Sequence, residues 1–157
     1  MEKISNIKQL PLKKMVLNID HTVMTIAGAN LAGGVKIWDC AKGILDVNMA
    51  DIDITVYAPA SEVKNPILGL GTVVGSGVVK ALSGTETFED VVTGFAAGAL
   101  TGATGSAYHF IKKGEADVKD GTVTAKDIFL NMAIDWVQSG DITAVGTITL
   151  YYRILAL

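Results

Sequence analysis

Two runs in the last third of the chain alternate strictly between apolar and polar residues. In the first, Ile128, Leu130, Met132, Ile134 and Trp136 fall on one side, and Asp127, Asn131 and Asp135 on the other. In the second, Ile142, Ala144, Ile148, Leu150, Tyr152 and Ile154 share a face, against Thr143, Thr147, Thr149 and Arg153. Period two is that of an extended strand, so each run has one face for a core and one for water. Gln138-Ser139-Gly140-Asp141 lies between them with turn chemistry, which predicts an antiparallel hairpin closing a β-sandwich.

The rest of the chain reads in the same way. Short strands are expected over 15–20 and 22–27, with Asp20-His21 as their connection or a bulge. Gly28-Ala29-Asn30 and Gly33-Gly34 mark turns, and 35–40 is a strand. The stretch 44–57 changes phase: Leu45, Val47 and Met49 are apolar at odd positions, Ile52, Ile54 and Val56 at even ones. Such a flip needs an extra residue, so a bulge or bend is expected near Ala50-Asp51. A polar loop follows over 59–66, then strands at 68–74 and 78–82 broken by Gly75-Ser76-Gly77. Ser83 and Glu86 have capping-box spacing for one short helix toward Val92. A glycine–alanine loop spans 96–107, and strand pieces lie at 108–113 and 117–119. Eight or nine short strands predict an all-β domain, a single sandwich or a jelly-roll-like arrangement, over 15–157.

Charge is unevenly placed. The first fourteen residues hold four lysines against one glutamate, so this segment carries +3 and the remainder −6. Pro11 interrupts it, and residues 1–14 are expected to form an extended basic arm that orders on a partner. The net charge of −3 gives no broad attraction to nucleic acid. Apolar residues make up 50% and charged ones 18%, which excludes disorder as the overall state. No secretory signal is visible in residues 1–12.

Catalytic residue types are scarce. The chain has two histidines, one cysteine and one arginine, and neither His21 nor His109 has a local nucleophile to activate. No enzyme activity, cofactor or metal is expected. Gly69, Gly71, Gly75 and Gly77 lack a following Gly-Lys-Ser/Thr, so they read as bulge and turn residues rather than a phosphate loop. Asp51 and Asp53 share a strand face and, with Asp46 or Asp39, have oxygen ligands for a hard cation; a solvated strand face is the simpler reading. Cys40 reads as a buried small apolar residue. Trp38, Trp136 and Tyr152 read as core, while Tyr151 is expected to be partly exposed or in a contact. Residues 91–111 carry no charge and repeat Gly94, Gly98, Gly102 every four, which also fits a packed membrane helix. Their Gly, Ala, Thr and Ser content inserts weakly, and strands flank them.

Several phrases carry a resemblance. Val35-Lys36-Ile37-Trp38-Asp39 leads through a glycine turn into 44–57. Leu82-Ser83-Gly84-Thr85-Glu86 follows, then the run 121–133, with Thr124-Ala125-Lys126-Asp127-Ile128-Phe129-Leu130-Asn131 at its centre, and Gly146-Thr147-Ile148-Thr149-Leu150. Over about residues 34–155 the chain resembles small β-sandwich virion proteins of tailed bacteriophages, of the head decoration or cement type. The resemblance implies a non-enzymatic protein on the outer surface of the capsid, with the major capsid protein as partner. It also implies self-association as a homotrimer, and neither nucleic acid nor membrane as partner. Lys3, Lys8, Lys13, Lys14, Tyr151 and Arg153 are the expected partner-binding residues. A tail, fibre, receptor- or glycan-binding module is the alternative.

Overall fold

The computed structural model describes residues 7, 9–26, 31–58, 66–79, 81–84, 87–96, 105–115, 117–134 and 140–155. Among them nine strands follow in order: β1 (Lys13–Ile26), β2 (Ala32–Trp38), β3 (Gly43–Tyr57), β4 (Ile67–Gly71), β5 (Val92–Ala96), β6 (Ser106–Lys113), β7 (Lys119–Gly121), β8 (Ile128–Ala133) and β9 (Gly140–Leu155). One antiparallel sheet has the order β1-β9-β3-β6, and the short β7 pairs with the start of β3. The second has the order β2-β8-β4-β5. Without β7, the remaining eight strands have jelly-roll connectivity, in which the chain passes repeatedly from one sheet to the other. The expected all-β sandwich is the observed fold.

Alternation builds the core. The inward residues of β3 and β9, including Ile52, Ile54, Ile148 and Leu150, meet Leu68, Leu70, Leu130 and Met132 of the facing sheet in one buried cluster. Each such side chain contributes about 2 kcal/mol by leaving water. Two aromatic contacts join the sheets: Trp38 of β2 meets Tyr152 of β9 edge-on at 4.8 Å, and Phe95 of β5 meets Phe110 of β6 at 4.2 Å. The phase flip in β3 is real. Its register against β9 shifts between Val47 and Met49, so the extra residue is Asn48, two positions before the expected bend.

The expected hairpin is not formed. β8 pairs with β2 and β4, whereas β9 pairs with β1 and β3. Alternation decides which side chains are buried but not which strand lies alongside. Here both buried faces look into the same core from opposite sheets. The backbone N–H of Ile134 donates to the Leu31 carbonyl at 2.8 Å, tying the end of β8 to the entrance of β2.

A layer over the second sheet accounts for other departures. The described residues of 72–91 cross its outer face, so Asn131, expected to be wet, is fully buried. Its side-chain oxygen accepts from the Gly75 N–H at 2.7 Å, and its amide donates to the carbonyls of Val73 and Phe88, each at 2.8 Å. Leu82 and Phe88 pack with Ala32 and Ala133 beneath this strap. Gly33 and Gly34, expected as a turn, lie within β2. A Cβ on Gly34 would come within 1.9 Å of the Asn131 oxygen, so that glycine makes room for the amide. The described residues 78, 79, 81 and 82 form no strand, and Val78 is exposed. In place of the expected helix there is a 3-10 turn at Leu82–Gly84.

At the N-terminus, β1 is one continuous strand, with its bulge between Thr22 and Met24 rather than at Asp20-His21. Ile7 is fully buried, and the Leu10 carbonyl accepts from Arg153 Nε at 2.9 Å. Of the described part of the expected arm, Lys13 and Lys14 belong to β1, and the residues before them are held on the body by the Ile7 side chain and the Arg153 guanidinium. Of the expected features, the turns at 28–30 and 138–139, the loop at 59–65, Glu86, the stretch 97–104 and Trp136 lie outside the described residues.

Candidate functional site

Outward-facing residues of the first sheet line up across its strands. At one end, Lys14 of β1 is opposite Tyr151 of β9, Tyr151 is opposite Met49 of β3, and Met49 is opposite Lys113 of β6. Neighbouring strands are about 4.8 Å apart, so the two lysines are about 14 Å from each other at the backbone. Both are exposed, and neither is in an ion pair among the described residues. Lys14 Nζ lies 5.9 Å from the centre of the Tyr151 ring, within reach of its negative face. The result is a cationic row with a half-buried aromatic ring and a thioether between its charges.

The same face turns acidic further along. Asp51, Asp53 and Asp20 occupy the following rows, and Asp51 Oδ1 is 2.9 Å from His109 Nε2. On the other side of the lysine row, Arg153 Nη1 donates to Asp46 Oδ2 at 3.0 Å, with both side chains largely buried. A cleft of about 300 Å³ opens there, bordered by Asn48, Lys113, Glu115 and the Arg153–Asp46 pair. The Asn48 bulge shapes it. Gly114 N–H donates to the Asn48 carbonyl at 2.9 Å, and a Cβ on Gly114 would strike the Val47 carbonyl.

A second polar hollow, of about 540 Å³, is lined by carboxylates, three of which, Glu89, Asp90 and Glu115, have partners. Asp90 accepts from the Thr72 N–H at 2.7 Å and hydroxyl at 2.9 Å, and pairs with Lys119 at 3.4 Å. Glu89 accepts from the Gly94 N–H at 2.6 Å, and Glu115 from the Thr93 hydroxyl. These groups fasten the strap and the strand ends. Asp51, Asp53, Asp46 and Asp39 do not converge, and no cluster of three or more metal-ligating side chains occurs among the described residues.

Of the residues expected to bind a partner, the structure brings Lys14, Tyr151 and Arg153 onto one end of one face. Lys13 is exposed one residue earlier and alternates to the other side, opposite Tyr152. Lys3 and Lys8 lie outside the described residues. Lys113 and Met49 escaped the sequence reading, because only strand register shows that they stand beside Tyr151. Cys40 is buried, as expected, and loss of water around it, reinforced by Asp127, pushes its thiol up to about 11. The Asp39 hydrogen bond, together with the charge of Asp127, raises the exposed Lys36 ammonium.

The fold class is a jelly-roll sandwich with a cationic row on one sheet. No family model matches the chain, and no curated protein matches its sequence. A chain in the structure of infectious bursal disease virus, Gx strain, is similar at 9% identity with a TM-score of 0.26. That similarity covers 92% of this chain and 42% of the other. No helix of the described residues is long and apolar enough to cross a membrane, and the uncharged stretch 91–111 contributes to β5 and β6.

Proposed function

We propose that this protein is a non-enzymatic virion structural protein that binds the outer surface of a bacteriophage capsid and stabilises the head, acting as a homotrimer. Its partners are the major capsid protein and further copies of itself. The observation that carries this reading is the Lys14–Tyr151–Met49–Lys113 row, a cationic contact surface on a rigid sheet. Jelly rolls recur in viral capsid and lectin domains, and this architecture supports the reading. The mechanism is linkage. A protein that binds only the assembled shell stabilises it by mass action, and a symmetric trimer multiplies weak contacts.

The test is co-sedimentation of the purified protein with undecorated heads, alongside its native mass. Saturable binding and a trimer mass are expected. Removing residues 1–6, which spares the buried Ile7, should weaken binding without unfolding the body, and Lys14→Glu with Lys113→Glu should abolish it. A soluble, folded oligomer that ignores heads but binds host-surface carbohydrate would transfer the assignment to a tail or fibre module.

A further inference from the structure

The cationic row specifies more than a sign of charge; it specifies a spacing. Lys14 and Lys113 stand at the two ends of four adjacent strands, about 14 Å apart, with Tyr151 and Met49 between them. An extended peptide rises about 3.3 Å per residue and presents every second side chain to one side. Carboxylates four residues apart in such a peptide are about 13 Å apart, and the side chain midway between them faces the same way. The row therefore matches a segment reading acidic, any residue, apolar, any residue, acidic, laid across the strands.

We infer that the lysine row is a docking site for an extended acidic segment of a partner protein, with carboxylates at positions i and i+4 on Lys113 and Lys14 and an apolar side chain at i+2 on Tyr151 and Met49. This inference rests on the virion reading only for the identity of the partner. A long polyanion such as nucleic acid fits poorly. Asp51, Asp53 and Asp20 stand in the next rows of the same face and repel a charged backbone that continues over the sheet.

The experiment is titration of the full-length protein with a short capped peptide, Gly-Glu-Thr-Leu-Thr-Glu-Gly, followed by amide and methyl shifts. Shifts confined to Lys14, Met49, Lys113 and Tyr151, with binding weakened about tenfold by Lys14→Glu together with Lys113→Glu, are the expected result. Moving the two glutamates to adjacent positions, or replacing the leucine with serine, should each weaken binding several-fold. Equal binding of all peptides, or tighter and salt-sensitive binding of a DNA oligonucleotide at the same residues, overturns the inference. Head binding without peptide binding refutes this site and leaves the virion reading intact. Peptide binding without head binding refutes the virion reading and leaves the site.

Discussion

Asn131 Oδ1 accepts a hydrogen bond from the backbone N–H of Gly75 at 2.7 Å, across fifty-six positions of sequence and from a wholly buried position. Together with its two donations to the carbonyls of Val73 and Phe88, this bond fixes those parts of the strap against the outer face of β8. Asn131→Ala leaves the buried Gly75 N–H, the buried Phe88 carbonyl and the part-buried Val73 carbonyl without that partner. A loss of about 2–4 kcal/mol is expected, because unmade buried hydrogen bonds cost more than made ones contribute. Urea unfolding measures the loss. Hydrogen exchange should locate it, with protection falling first at Gly75.

Gly34 and Asn131 are coupled by space. Gly34→Ala puts a methyl group within 1.9 Å of the Asn131 oxygen, so a loss of about 2 kcal/mol or more is expected from overpacking. With Asn131→Ala in place, that oxygen is gone and the tightest remaining neighbour of the added methyl is the Leu130 carbonyl at 3.1 Å. The double variant should therefore be clearly more stable than the sum of the single losses predicts. Strict additivity in denaturant unfolding would contradict this geometry.

Arg153 and Asp46 form a further internal polar joint, at 3.0 Å with side chains 19% and 11% exposed. Removing either partner leaves a largely buried charge unpaired, so Arg153→Ala and Asp46→Ala should each cost about 2–3 kcal/mol. A double-mutant cycle should return a coupling of about 1–2 kcal/mol. Arg153→Ala also frees the Leu10 carbonyl, so proteolysis near residue 10 should accelerate in this variant and less so in Asp46→Ala.

The Cys40 thiol sets an alkaline limit. Its ordinary value is 9.0, and burial raises it to about 11 in the folded protein. Between these values the unfolded chain has released the proton while the folded chain retains it. Stability therefore falls as pH rises through this window and is unaffected below it. Cys40→Ala should remove this component, so the stability difference between wild type and variant should be flat up to pH 9 and then change. In the native protein, Cys40 should react with a thiol reagent at pH 8 far more slowly than in urea.

Local chemistry made much of this molecule legible. The period-two runs in β3, β8 and β9 identified the buried residues, because side-chain alternation is a property of the strand itself. The phase change in β3 announced the Asn48 bulge within two positions, since a strand cannot switch faces without an extra residue. Tyr151 was expected at least partly in the open, and its ring stands beneath Lys14.

Partnership between strands was decided elsewhere. Nothing in the alternation of 128–136 and 142–154 says that these runs belong to opposite sheets, and the buried face reads the same either way. Asn131 looked wet because its apolar neighbours alternate around it; only the strap, arriving from residues far away in sequence, takes it out of water. Of the glycines that read as turns at 33–34, Gly34 makes room for the Asn131 amide, a close approach invisible in local composition. The lysine row has the same origin. Alternation by itself determined which faces are apolar, through the geometry of a single extended chain, whereas register and layering, which need long-range pairing, placed Lys14 and Lys113 in one line across four strands.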